Sequence, residues 1–340
     1  MNLFLKALER EKTDSIPIWF MRQAGRYLPE YQGVRKDHSF WKMVKTPELA
    51  AEITLQPVKR LDVDAAIIFS DIMVLFDGIG IPVSFDKGPP ELDSPIKSLA
   101  DIELLEKKFP LDALKNNLNY YHDSLALTRD KLSQEKALLG FAGSPFTMAS
   151  YLLEGKTSKT HAKVRGFMHD NPKAFEQIMN WLCAATIEYA KIQKGAGIQA
   201  FQLFESWGEV LSAETFSKFV KPHVFTLITE ISKFIPVIYY NKGASLYPDQ
   251  MIDCWKHGAA VISVDWRAPL SRYGEATVQG NLDPAILLCE PEVVVAETKK
   301  ILTERAGKPG FIFNLGHGIM PEARLDSVTA MVETVKAFKV

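Results

Sequence analysis

Cysteine is scarce in this sequence: Cys183, Cys254 and Cys289 are far apart and odd in number. They make neither a disulfide framework nor a CxxC motif, which leads to a reducing, cytoplasmic setting as the expectation. An excess of one charge is also missing, with 40 Lys and Arg against 41 Asp and Glu. A duplex-DNA binder needs many uncompensated cations to displace counterions, so no nucleic-acid partner is expected. Long hydrophobic runs are absent. The longest uncharged stretch, Ala137–Leu153, contains glycines, serines and a proline and does not read as a membrane span. The opening residues MNLFLKALEREKTD carry charge within six positions and lack a signal-peptide core. No low-complexity tract, linker or exact repeat marks a boundary. A length of 340 residues suggests about two average domains. A closed α/β barrel accommodates such a length in one unit, and 1–340 is expected to be a single domain.

What is present is an alternation of short apolar runs with amphipathic stretches. Eight runs read as strands: Pro17–Phe20, Ala65–Phe69, Leu138–Ala142, Ile198–Phe204, Pro236–Tyr240, Ala260–Val264, Ala276–Gln279 and Phe311–Asn314. Most are nearly continuously hydrophobic, as parallel strands buried on both faces are. Helix starts are legible between them at Thr46-Pro47-Glu48, Asn171-Pro172, Asp283-Pro284 and Glu290-Pro291. Phe175, Ile178, Met179 and Leu182 form one helical stripe, and Leu325, Val328, Met331, Val332 and Val335 another. Eight strands with helices between them favour an α/β fold of the (β/α)8 TIM-barrel type; a doubly wound open sheet fits the same alternation.

A barrel puts its site in the loops after the strands. Those positions hold Arg22-Gln23-Ala24-Gly25-Arg26, Asp71, Gly143-Ser144-Pro145 with Tyr151, Glu205-Ser206, and Gly316-His317-Gly318. Two arginines four apart suit a polyanionic ligand, because guanidinium forks bind carboxylates bidentately. Arg35 and Lys36 add positive charge nearby. The plainer account is a pair of solvated arginines, or arginines bridged to Glu30. Asp71 is flanked by apolar residues, so it needs a partner. It would accept N–H groups of a ligand, stabilise positive charge during reaction, or simply cap the next turn. Ser206…Glu209 is also a capping pattern, and a lone His317 is more often scaffold than catalyst. No G-x-S-x-G elbow surrounds Ser206 and no HExxH is present. His317 has no cysteine or second histidine at ligand spacing, so neither zinc nor iron is expected. Gly78-Ile79-Gly80 lacks the third glycine of a dinucleotide fingerprint.

The segments PIWFMRQAGRYLPEY, FSDIM, GFAGSPFTMASYLLEG, FQLFESWGE, QGNLDP and FNLGHGI, in this order, resemble the uroporphyrinogen decarboxylase family along the whole chain. The resemblance implies a single-domain (β/α)8 barrel, a homodimer, and a place in cytoplasmic porphyrin and haem synthesis. It implies removal of the acetate carboxyl groups of uroporphyrinogen III, a tetrapyrrole, without metal or organic cofactor. Carried over by position, Arg22 and Arg26 with Gln23, Ala24 and Gly25 between them are expected to hold substrate carboxylates, with Arg35 a further anion contact. Asp71 is expected to accept the pyrrole N–H groups and, with Arg22 and Arg26, to form the catalytic set. Tyr151, Ser206 and His317 are the remaining polar contacts, with Phe141 and Phe204 as apolar walls.

Two segments depart from the family pattern, Asp265-Trp266-Arg267-Ala268-Pro269 and 320–326. Two rival readings accompany the resemblance: a zinc-dependent corrinoid methyltransferase on a similar barrel, and a tetrapyrrole-binding protein without catalysis.

Overall fold

A computed structural model describes residues 2–86, 88–92, 96 and 98–339. Among them, seven strands form one parallel sheet: β1 (Ala65–Ile67), β4 (Ala137–Gly143), β5 (Ala200–Glu205), β6 (Val237–Asn241), β7 (Val261–Val264), β8 (Val278–Leu282) and β9 (Phe311–Leu315). Each lies beside its successor in the chain, with helices in most of the connections. Two short strands, β2 (Val83–Ser84) and β3 (Glu91–Leu92), make a separate antiparallel pair. The sheet strands are buried along nearly their whole length, as their continuous hydrophobicity requires when both faces are covered.

The sheet is curled. Gln202 on β5 and Gln279 on β8 lie three strands apart, which in a flat sheet is about 14 Å, yet Gln279 Nε2 donates to Gln202 Oε1 at 3.2 Å. The same amide nitrogen reaches Ser263 Oγ at 2.9 Å, and Trp19 Nε1 donates to Gln279 Oε1 at 2.8 Å. A polar layer therefore crosses the interior and satisfies itself there.

The expected strand Pro17–Phe20 is reduced to one bridge, Ile18 to Phe313. Phe313 N donates to Pro17 O at 2.9 Å, and on the other side Asp64 N donates to Ile18 O at 2.7 Å. The segment thus bonds to β9 and to the residue before β1, the two ends of the sheet. It is not a regular strand because side chains take the amides a ladder would use. Ile18 N goes to Asp64 Oδ2, Phe20 N to Gln23 Oε1 and Met21 N to Asn314 Oδ1.

The helix starts at Pro47, Pro172 and Pro291 open helices Pro47–Leu61, Pro172–Gly195 and Pro291–Arg305. Asp283-Pro284 opens only the short 3-10 turn Pro284–Leu288, with Asp283 accepting from Ala285 N. Helix Pro172–Gly195 buries its Phe175, Ile178, Met179 and Leu182 stripe and is pinned to β4 by Gln193. The Gln193 amide both accepts from Phe141 N and donates to Phe141 O, each at 3.0 Å. Gly140 permits this approach, since a Cβ there would overlap Gln193 Oε1.

Both atypical segments are tied down. Asp265 is fully buried and accepts from Ser245 N at 3.0 Å and Arg267 N at 2.9 Å. Arg324, capping the last helix Leu325–Ala337, bridges Glu290 and Asp326. Among the described residues no helix is long and apolar enough to cross a membrane.

Candidate active site

The Arg22–Arg26 turn is built on Gln23. Its buried side chain accepts from Phe20 N and donates to Ala65 O at 2.9 Å, and its carbonyl accepts from Tyr27 Oη at 2.7 Å. Gln23 N is spent on Phe20 O, while the N–H groups of Ala24 and Gly25 have no acceptor among the described residues. Gly25 is required by close packing, because a Cβ there would lie 2.7 Å from Arg22 O. Arg22 itself sits at φ 64°, a left-handed conformation uncommon for a side chain of this size. Such a conformation costs roughly 1 kcal/mol or more and persists where the surroundings impose it.

The bridge to Glu30 does not form. Glu30 pairs with Arg60 instead. Arg22, Arg26 and Arg35 make no ion pair among the described residues. Arg26 and Arg35 are exposed beside Tyr31, whose ring lies 5.6 Å from that of Phe69. Arg22 is exposed as well, but it stands nearer the strand ends: its charge reaches Asp71, Tyr151, Tyr240 and His317. Gly318 makes room for it, as a Cβ there would collide with the Arg22 side chain.

Asp71 follows β1 and is partly exposed. One carboxylate oxygen accepts from Met73 N at 2.9 Å, the local turn that the sequence allows. Burial nonetheless pushes its carboxyl above the usual range, opposed by the Met73 N–H and by Arg22. Burial also raises the Tyr151 hydroxyl, which contacts Thr157 Oγ1 at 3.3 Å and feels both Asp71 and Arg22. Phe141 and Phe204 meet edge to face with centroids 5.6 Å apart at the ends of β4 and β5.

Ser206 is held by its own amide, which donates to Thr147 Oγ1 at 2.8 Å. The Ser206…Glu209 capping pattern is not used: the turn Gly208–Val210 has no side-chain cap, and Glu209 pairs with Lys242. His317 sits between two buried glycines, its Nδ1 2.9 Å from Tyr240 Oη. Burial first, then Arg22, Lys242 and Arg267, pull the imidazole down to about 3, so it is neutral at ordinary pH.

Three neighbours escape the sequence reading, and a fourth, Glu205, figures in it only as a strand-end position with no role. Tyr240 lies in β6 and Lys242 directly follows that strand; Arg267 stacks 4.3 Å from its neighbour Trp266 and donates to Lys242 O at 3.0 Å. Glu205, fully buried at the end of β5, accepts from the Thr147 hydroxyl, and burial raises its carboxyl to about 7. Glu205 stood in plain view beside Ser206; the contacts of Tyr240 and Arg267 span dozens of residues and have no local signature.

Among the described residues no group of three or more His, Cys, Asp and Glu side chains is placed to hold a metal ion. Cys183 and Cys254 are buried, which pushes both thiols up to about 12. The geometry assembles cations around a neutral imidazole, an open carboxylate and aromatic walls at one end of the curled sheet.

The fold resembles that of a methyltransferase from Methanosarcina mazei, with a TM-score of 0.79 over 98% of this chain and 96% of that one, at 19% identity. Sequence comparison is more specific. The chain is 41% identical to a uroporphyrinogen decarboxylase of Geobacter metallireducens and 40% to that of Geobacter sulfurreducens, over 98% of both partners in each case. The Carboxydothermus hydrogenoformans enzyme of the same name is 40% identical over 98% of this chain and 95% of its own. The family model described as Uroporphyrinogen decarboxylase (URO-D) matches residues 1–338, and the chain belongs to that family.

Proposed function

We propose that this chain removes the carboxyl groups from the four acetate arms of uroporphyrinogen III, giving coproporphyrinogen III and CO₂, with no metal or organic cofactor. The observation that carries the mechanism is Asp71: a carboxylate with one backbone partner, apolar neighbours, and Arg22 close enough to favour its charged form.

Loss of CO₂ leaves an electron pair that needs a sink. Protonation of the pyrrole carbon beside the acetate arm makes the ring an iminium-like cation. The C–C bond to the carboxylate then breaks, its electrons enter the ring, and CO₂ departs. The exocyclic carbon takes up a proton to become methyl, and the ring carbon gives its proton back. Each arm thus consumes one proton overall. Asp71 accepts the pyrrole N–H groups and stabilises the cation, a contact that strengthens in the transition state. Arg22 and Arg26 bind carboxylates and orient the one that leaves; Arg35 assists at the rim. The unspent amides of Ala24 and Gly25 add donors for an anion, while Gln23 holds the turn. Tyr151, Ser206 and His317 supply polar contacts, and Phe141 and Phe204 the walls. Arginine is a poor general acid, and no residue is assigned as proton donor.

In this reading, residues 17–20 stand in the eighth strand position and close a single (β/α)8 barrel over 1–340. The protein works in the cytoplasm as a homodimer. The test is an anaerobic assay with chemically reduced uroporphyrinogen, chelator present and nothing else added. Stepwise loss of four CO₂ with coproporphyrinogen as product is expected. Binding without CO₂ release would leave a carrier, and activity abolished by chelator and restored by zinc would favour the methyltransferase-like alternative.

A further inference from the structure

His317 and Tyr240 share one proton donor too few. The Tyr240 hydroxyl lies 2.9 Å from His317 Nδ1 and 3.0 Å from Gly316 O, and has a single proton for two acceptors. Burial pushes the phenol far above its ordinary value, so the proton stays on it. Gly316 is buried, and its carbonyl has no other donor among the described residues. If the hydroxyl turned to Nδ1, that carbonyl would be left unpaired, a costly outcome for a buried group. The backbone there has little room to adjust, since a Cβ on Gly316 would stand 2.5 Å from Trp266 N. The two rings are nearly parallel, 12° apart with centroids at 6.0 Å.

We infer that Tyr240 is a positioning residue: it donates to Gly316 O, accepts from His317 Nδ1–H, and so leaves Nε2 of His317 bare as a hydrogen-bond acceptor. The imidazole then receives N–H or protonated carboxyl groups of the ligand. Anionic carboxylates fall to the cations around it, Arg22, Lys242 and Arg267, which also keep the ring neutral. His317 in this arrangement is an acceptor among donors and reads a different part of the substrate from the arginines. The inference rests on the proposed function only for the identity of that ligand.

The test is 15N NMR of the full-length protein labelled at histidine, with the His317 signals identified by their loss in His317→Asn. In the wild type the proton is expected on Nδ1, with Nε2 proton-free. Tyr240→Phe keeps the ring and removes the hydroxyl, and is expected to shift His317 toward the Nε2–H form. Its kcat/KM for uroporphyrinogen should fall by roughly 3- to 10-fold, the size of one hydrogen bond. A proton on Nε2 in the wild type overturns the inference whatever the variant does. An Nδ1 proton that persists in Tyr240→Phe also overturns it, because the hydroxyl would not be setting the tautomer. A protein with the Nδ1 proton but no CO₂ release would refute the proposed function and leave the tautomer assignment standing.

Discussion

Asp71 and Glu205 both lie where a parallel strand ends, and burial raises both carboxyls above their ordinary range. Their surroundings differ. Glu205 is enclosed, hydrogen-bonded by Thr147, and so ties the helix after β4 to β5; Thr147 in turn holds the Ser206 amide. Asp71 is partly exposed, has one backbone donor and faces the positive charge of Arg22. A strand-end carboxylate is therefore not a functional group by position. What distinguishes the reactive one is access to the mouth beside a cation, since Glu205 also has an oxygen to spare but is sealed in the interior.

Glu205 yields the largest effect on stability. Its carboxyl titrates near 7 when folded against about 4.5 when unfolded. The folded state therefore holds the extra proton between those values, and stability falls as pH rises through that window. The loss, levelling off above pH 7, is roughly 3 kcal/mol at most. Glu205→Gln can still accept from Thr147 and should flatten this decline; urea unfolding at pH 5 and pH 8 measures it. An unchanged decline would mean that Glu205 is not the neutral, enclosed group described.

Arg22 comes next. Arg22→Gln removes the charge that favours ionised Asp71, so the acidic limb of kcat/KM should move to higher pH. The value at its optimum should fall about tenfold, as loss of one charge-assisted contact implies. A pH profile that keeps its acidic limb in place would separate Arg22 from Asp71. Arg35 marks the small end. It is exposed and screened, so Arg35→Gln should raise KM by about twofold at low salt and less at high salt. A larger, salt-insensitive effect would move Arg35 into the inner site.

The comparison also shows where sequence reading stops. Continuous apolar runs located seven strands, because burial on both faces leaves that pattern wherever the chain folds. Pro17–Phe20 has the same pattern but loses its ladder to the side chains of Asp64, Gln23 and Asn314, two of them distant in sequence. Arg22, Asp71 and His317 stood out as ionisable groups after apolar runs. That Arg22 adopts a left-handed turn over Gly318 did not, nor did the release of Arg22 and Arg26 from Glu30 by Arg60, because both depend on contacts across the fold. The 265–269 segment departs from the family pattern in sequence; in the fold its aspartate is buried scaffold, and the charge of its arginine reaches His317.

The most direct test sets Asp71→Asn beside Glu205→Gln in the same anaerobic uroporphyrinogen assay, with both variants first shown to be folded by circular dichroism. The expected result is a loss of kcat of about 100-fold or more for Asp71→Asn, the size seen when a transition-state charge partner is removed, with Glu205→Gln within a few-fold of wild type. Near wild-type turnover in Asp71→Asn, or a collapse of turnover in Glu205→Gln that outweighs it, would contradict the assignment of Asp71 as the group that stabilises the reacting ring.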